Sequence, residues 1–189
     1  MQITPKTKKE AEDLVFHIFL QGDMRHFDSL YFGLISDFIL KKAISLEKET
    51  FSFNEVKENM NIHGPQKSEK LNALKILRLK NIGFEGFEMP FLSYKADILA
   101  RKGGKVILIE CGPCRLWKAI SYLEEDANLW ITRDENQTEL FILTKGENWN
   151  SVYKEYKNRM EEKLKKIPSP FDKLIKDKDK NETKKVFNV

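Results

Sequence analysis

Long hydrophobic runs are missing from this sequence, because no stretch reaches the roughly 18 consecutive apolar residues that a membrane-spanning helix needs. The first residues, Met1 to Lys6, also lack the apolar core of an export signal. Both absences argue against a membrane or exported protein. We therefore expect a cytoplasmic protein that has no membrane partner.

Cysteine and histidine are also scarce, with 2 and 3 residues in a chain of 189. The two cysteines stand only three positions apart, which is too close for a disulfide framework. The histidines do not cluster, so they give no metal-ligand spacing. A chain of this length buries roughly two-thirds of its unfolded surface, so we expect it to fold without disulfide or metal staples.

A strong excess of either charge is missing from most of the chain. Residues 150–189 hold 12 lysines and arginines against 7 acidic residues, whereas the preceding residues carry a net charge of −1. A basic end of this kind attracts polyanions through phosphate contacts, although a solvated basic helix and tail is the commoner origin of such a pattern.

The hydrophobic periodicity predicts an α/β protein with a helical unit at its amino end. Helices are predicted over residues 8–21, 28–46, 67–81, 114–125 and 149–166, with a further short one at the capping pattern Ser52-Phe53-Asn54-Glu55. Strands are predicted over residues 84–92, 94–102, 105–111, 128–133 and 138–145. We expect a helical unit over 1–62, an α/β domain over 63–167 and a basic flexible tail over 168–189.

Two acidic residues face each other in the predicted hairpin. Gly103-Gly104 is a two-residue turn signal, so Lys102 pairs with Lys105 and, further out, Asp97 pairs with Glu110. Pair types alternate outward from the turn, which makes Asp97 and Glu110 a non-hydrogen-bonded pair with side chains about 5 Å apart on one face.

Apolar residues flank these two carboxylates on both faces of the hairpin, so close like charges are expected in a covered setting where they are costly. A hard divalent cation such as Mg²⁺ or Mn²⁺ relieves that cost and accepts oxygen ligands. Two alternatives stay open. Water reaches the acids at the strand ends, or a different turn shifts the register by one residue and separates them.

Three stretches between residues 65 and 146 carry a family likeness. They are a helix that ends in Ile82-Gly83-Phe84, the strand Tyr94-Lys95-Ala96-Asp97-Ile98-Leu99-Ala100, and Val106-Ile107-Leu108-Ile109-Glu110-Cys111-Gly112 after the glycine hairpin. Together they resemble the PD-(D/E)XK, or restriction-endonuclease-like, nuclease superfamily. The resemblance implies an αβββαβ core with a mixed central sheet flanked by helices. It also implies that Asp97 and Glu110 bind the metal ion.

One position departs from the family pattern. The family places a lysine two residues after the second acid, where this chain has Gly112. Two other lysines are candidates for the missing ammonium group: Lys95, which the hairpin register places opposite Gly112, and Lys118 on the following helix, which we prefer. The family's acid on the first helix has Glu69 as its nearest candidate, with Asn72 a turn closer to the sheet.

The activity that the resemblance implies is metal-dependent endonucleolytic hydrolysis of DNA, or nucleic-acid binding by a relative that has lost catalysis. A cation held by Asp97, Glu110 and the Cys111 carbonyl would polarise the phosphate and activate a water. DNA is expected over RNA, and a homodimer stays open because such nucleases often pair to cut two strands. Contacts to the phosphate backbone are assigned to Arg115, Lys154, Lys157 and Arg159.

A competing signal lies in Cys111-Gly112-Pro113-Cys114-Arg115, which is similar to the thioredoxin active site and also stands between a strand and a helix. A helix amino terminus lowers the pKa of the first cysteine, and the second resolves a mixed disulfide. The surroundings differ, since no proline occurs between Thr132 and Gly146 to begin a strand facing the site. A thiol oxidoreductase that uses Cys111 and Cys114 is therefore the alternative function.

Overall fold

The computed structural model describes residues 1–19, 29–53, 67–87, 90–91, 94–134 and 136–166. The chain divides into two compact units, of which the first is Met1–Trp149 and the second begins at Asn150. The predicted tail over 168–189 lies outside the described residues, as does most of the short helix predicted at Ser52. Within the described ranges, no helix combines the length and apolar character that crossing a membrane requires.

Helices and strands together make an α/β protein. The helices are α1 (Lys8–Phe19), α2 (Ser29–Leu40), α3 (Lys67–Leu79), α4 (Leu116–Glu124) and α5 (Trp149–Lys166). The strands are β1 (Ile44–Phe51), β2 (Gly83–Phe87), β3 (Pro90–Phe91), β4 (Tyr94–Lys95), β5 (Ile98–Lys102), β6 (Lys105–Cys111), β7 (Asn128–Asp134) and β8 (Thr138–Lys145). The predictions for α5 and β8 are confirmed to the residue.

Six of the strands form one mixed sheet in the order β1-β8-β7-β6-β5-β2, and β3 pairs with β4 in a separate ribbon. All neighbours in the large sheet are antiparallel except β6 and β7. This one parallel pair follows from the connection, because α4 carries the chain back to the start of the next strand. A tight turn joins the antiparallel strands β5 and β6 at Gly103 and Gly104, where φ is 56° and 77°.

The prediction of an all-helical unit over residues 1–62 was wrong. The second helix ends at Leu40, Lys42 turns the chain with a φ of 57°, and β1 then pairs with β8 along its whole length. The physical reason is the alternation that begins at Ile44 and Leu46, whose side chains are buried while their neighbours are less so. Part of the amino-terminal segment therefore belongs to the same sheet as the candidate site.

Helices cover both faces of the large sheet. Ile107, Ile109 and Cys111 of β6 share a buried cluster with α3. Glu110, which lies between Ile109 and Cys111, accepts a hydrogen bond from the Tyr122 hydroxyl of α4. Because side chains alternate along a strand, α3 and α4 lie on opposite faces. The carboxyl end of β6 is thus enclosed between two helices.

Candidate functional site

The hairpin register that the sequence predicts is confirmed. Strands β5 and β6 pair from Lys102 with Lys105 outward to Ile98 with Ile109, and Asp97 and Glu110 are the next residues of the chain beyond that last pair. Regular pairing stops there, and Oδ2 of Asp97 accepts a hydrogen bond of 2.8 Å from the backbone N–H of Cys111. The Asp97 carboxylate is therefore held by a hydrogen bond from the main chain at the point where the pairing of β5 with β6 ends.

Glu110 is the buried acid of the pair, with a relative exposure of 5%. Its Oε1 atom accepts hydrogen bonds from Nζ of Lys118 at 2.7 Å and from the Tyr122 hydroxyl at 2.9 Å. Burial raises the pKa of Glu110 and the negative charge of Asp97 adds to the rise, while Lys118 and Tyr122 oppose it. The two carboxylates are thus close enough to influence each other electrostatically.

Lys118 lies where the preferred prediction places it. Besides Glu110, its ammonium group donates to the backbone carbonyl of Lys95 at 2.8 Å. Lys118 and Tyr122 are four residues apart on α4, so both side chains project from one face of the helix toward the same carboxylate.

The predicted position of Lys95 was wrong. The strand expected over 94–102 is broken, and β4 pairs with β3 rather than continuing the ladder, so Lys95 lies opposite Pro90 instead of Gly112. Its side chain is exposed. Lys95 contributes its carbonyl, which fixes Lys118, and not its ammonium group.

Gly112 has a backbone reason for departing from the family pattern. Its φ is 82°, in the left-handed region where a side chain is strained. Its N–H donates to the Thr132 carbonyl at 2.7 Å, which fixes this conformation against the neighbouring strand. A lysine at this position would be disfavoured, which is consistent with a cation supplied from α4.

Lys70 is the site residue that the sequence reasoning missed. Its side chain is 5% exposed, and Nζ lies 3.8 Å from Oδ1 of Asp97. The two candidates for the first-helix position have other partners. The Glu69 carboxylate accepts a hydrogen bond from the Ser68 hydroxyl, and the Asn72 amide donates one of 2.9 Å to Asp134. The available signal was helical spacing, because Lys70 stands on the same stripe as the buried residues Ala73, Leu74 and Leu77.

The site therefore contains two carboxylates, each beside one lysine. Among the described residues, no three His, Cys, Asp or Glu side chains come together as a metal-binding group. Magnesium nevertheless often uses only one or two protein carboxylates and completes its shell with water and substrate phosphate. Asp97 and Glu110 fit such a cation in number and in ligand chemistry, and the Cys111 carbonyl stays a prediction as a third oxygen.

Cys111 and Cys114 are both buried free thiols. Burial raises the pKa of each thiol above its ordinary value, and the nearby carboxylates of Asp97 and Glu110 add to the rise. Helix α4 begins at Leu116, after an N-cap at Arg115, so neither cysteine lies in its first turn. These surroundings disfavour a thiolate at neutral pH.

The predicted backbone-contacting residues occupy two different places. Arg115 is exposed at the start of α4, in the segment of chain between Glu110 and Lys118. Lys154, Lys157 and Arg159 are exposed on α5, which belongs to the second unit apart from Trp149. Arg159 pairs with Glu155 one turn earlier, and Nζ of Lys157 lies 4.8 Å from the centroid of the Tyr153 ring.

A second buried carboxylate, Glu139 on β8, has a different environment. It accepts hydrogen bonds from Lys48 and from Nε2 of His17, the latter at 2.9 Å. Burial alone would raise the pKa of Glu139, but these two partners outweigh burial and lower it.

Comparison of the chain with protein-family models, with curated proteins and with solved structures finds no match.

Proposed function

We propose that this protein hydrolyses phosphodiester bonds in DNA with the help of Mg²⁺ or Mn²⁺ held by Asp97 and Glu110. The observation that carries the proposal is the Lys118 ammonium group on the Glu110 carboxylate, next to Asp97 at the ends of two adjacent strands. If the separate β3–β4 ribbon is set aside, the order α3, β2, β5, β6, α4, β7 agrees with the αβββαβ core of restriction-endonuclease-like proteins and supports this proposal.

Each residue of the proposed site has a separate role in catalysis. A bound divalent cation would supply Lewis acidity and a water of lowered pKa. Lys118 would stabilise the charge that develops on the phosphoryl oxygens. Its hydrogen bonds to Glu110 and to the Lys95 carbonyl support this role, since they hold the ammonium group beside the acid. Tyr122 orients Glu110 through its hydroxyl, and Lys70 offsets the charge of Asp97.

A second candidate is a protein that binds nucleic acid without cutting it. The lysines beside Asp97 and Glu110 favour this candidate, since they already balance both carboxylate charges. The oxidoreductase alternative has less support, because it needs an accessible thiolate and both thiols are buried.

The decisive experiment is cleavage of plasmid, single-stranded and branched DNA with Mg²⁺ or Mn²⁺. Asp97→Asn and Glu110→Gln should each abolish cleavage, whereas Glu139→Gln, which alters another lysine-paired buried glutamate, should leave it intact. Calorimetric titration of the protein with Mn²⁺ in the absence of DNA gives a second readout, and binding should disappear in the first two variants.

Three results separate the candidates. Cleavage that survives both Asp97→Asn and Glu110→Gln refutes the proposed site. Absence of cleavage by the unaltered protein, together with salt-sensitive DNA binding, supports the binding protein instead. Disulfide reductase turnover that is lost in a Cys111→Ser, Cys114→Ser variant would support the oxidoreductase.

A further inference from the structure

Two phenylalanine side chains are exposed on strand β2. Phe84 is 43% exposed and Phe87 is 36% exposed, and their ring centroids are 4.7 Å apart. Among the strands that the structure describes, β2 is the last in the order of the large sheet and pairs with β5. Large aromatic side chains left in water as a contiguous pair are a common feature of binding surfaces.

A bulge places the two rings on the same face. Phe84 pairs with Ala100 and Phe87 pairs with Ile98, and the register shifts between Phe84 and Gly86. In a regular strand, residues three positions apart point to opposite faces. Because of the extra residue, both phenylalanines share the face on which Ile98 and Ala100 pack against α3.

The rings stand at the site end of the sheet. Phe87 is opposite Ile98, the residue that directly follows Asp97. Neighbouring strands lie about 4.8 Å apart, so the backbone of Phe87 is about one strand spacing from the residue that follows Asp97. Lys70 reaches Asp97 from α3, the helix on the same face as the two rings.

The charge around the rings favours a polyanion over an apolar peptide. Lys95 is exposed beside Asp97, and Lys102 and Lys105 are exposed at the far end of the hairpin. The Glu85 carboxylate between the two phenylalanines lies 2.8 Å from Nε of Arg101, so its charge is balanced. Aromatic faces with cations on either side are the arrangement that single-stranded nucleic acid uses, through base stacking and phosphate contacts.

We propose that the Phe84 and Phe87 rings, which are tilted by 58° to each other, receive an unpaired base of a DNA strand, which stacks on the face of one ring and contacts the edge of the other. The neighbouring phosphate of that strand would lie at Asp97 and Glu110. Inside a duplex both faces of each base are covered, so a base that stacks here comes from a single strand, a flap or a branch. The substrate class is therefore DNA with unpaired bases, and this inference rests on the proposed function.

The test measures binding in EDTA, where cleavage does not interfere. A single strand that carries 2-aminopurine reports stacking as fluorescence quenching, and a duplex of the same sequence is the comparison. Phe84→Leu and Phe87→Leu keep apolar volume but remove the ring, and Phe16→Leu alters a 47% exposed phenylalanine on α1 as a matched control. Thermal melting verifies that each variant folds, and sedimentation gives its oligomeric state.

We expect quenching with the single strand, and roughly tenfold weaker single-strand binding in Phe84→Leu and Phe87→Leu. Duplex binding, and the affinity of Phe16→Leu, should not change. Unchanged single-strand affinity in both β2 variants overturns the inference, as does a dimer that dissociates in these variants, since β2 would then join two copies of the chain. Cleavage of intact duplex that is insensitive to Phe84→Leu and Phe87→Leu would overturn only this inference, whereas stacking without any cleavage would overturn only the nuclease.

Discussion

Nζ of Lys118 lies 2.7 Å from Oε1 of Glu110, although the two residues belong to different elements. Glu110 is near the end of β6, and Lys118 is in the first turns of the helix that follows. The chain thus obtains a cation beside its acidic residue from a helix, at a place where the strand continues into a glycine of left-handed conformation. Acid and cation remain adjacent without being on one strand.

The first prediction concerns this ion pair. Lys118→Met removes the ammonium group from Glu110, and we expect single-turnover DNA cleavage to fall by roughly 10²- to 10³-fold, the usual cost of losing one stabilising donor. Lys80→Met is the matched control, because Nζ of Lys80 is 2.6 Å from Glu49 in another ion pair. Equal losses in both variants would show that Lys118 acts only through stability.

The two buried glutamates should affect stability in opposite directions as pH changes. The pKa of Glu110 is raised, so the folded protein holds this proton more tightly than the unfolded chain does. Its contribution to the free energy of unfolding therefore falls as pH rises above the ordinary carboxyl value of about 4.5 toward the raised value. The pKa of Glu139 is lowered, so its contribution is present above about 4.5 and is lost as pH falls through the lowered value.

Urea unfolding at a series of pH values tests this contrast. Relative to the unaltered protein, Glu110→Gln should become more stable as pH rises from about 4.5, because it lacks the falling term. Glu139→Gln should become less stable relative to the unaltered protein as pH rises toward about 4.5, because it lacks the contribution of the Glu139 carboxylate, which grows over this range. Parallel curves for the two variants would contradict the assigned pKa directions.

The hairpin was the part of the site that the sequence could predict. Two adjacent glycines fix the turn, and the period of two along each strand then places Asp97 opposite Glu110 without further information. Lys118 could also be predicted from the sequence. Helix α4 directly follows β6, so only a few of its residues can reach the carboxyl end of that strand. These inferences depend on short-range geometry.

Long-range pairing was less predictable. The residues of β1 follow a helix directly, and nothing local shows that Ile44–Phe51 pairs with a strand near the other end of the chain. The break at Ala96 and Asp97 was missed because no glycine or proline marks it in the sequence, and Lys70 was missed because a lysine is rarely buried on the apolar side of a helix. In each case tertiary contacts decide the outcome.

The thiols should be unreactive in the folded protein. Cys111 and Cys114 are 1% and 3% exposed, and burial raises the pKa of both. We expect Ellman's reagent at pH 8 to titrate neither thiol in native buffer and both in guanidinium chloride. DNA cleavage should be the same under reducing and oxidising conditions in the unaltered protein and in a Cys111→Ser, Cys114→Ser variant that folds. Rapid labelling of the native protein would restore the redox interpretation.

Two glycines give a matched test of packing. A Cβ atom on Gly146 would lie 2.2 Å from the backbone oxygen of Lys42, whereas one on Gly33 would meet nothing within 4 Å. Gly146→Ala should therefore lower the free energy of unfolding by about 2 kcal/mol or more, through displaced backbone. Gly33→Ala, in the middle of α2, should raise it by about 0.5–1 kcal/mol. Chemical denaturation measures both, and similar effects of the two substitutions would contradict this account.

The pairing of β1 with β8 has a consequence for the nascent chain. On the ribosome, residues Ile44–Phe51 emerge long before their partner Thr138–Lys145 has been synthesised. Until then β1 has none of its inter-strand bonds to β8, and it can pair with the strands of other unfinished chains. Correct assembly of the sheet therefore depends on how quickly translation reaches β8, and a pause between the two strands should lower the yield of folded protein.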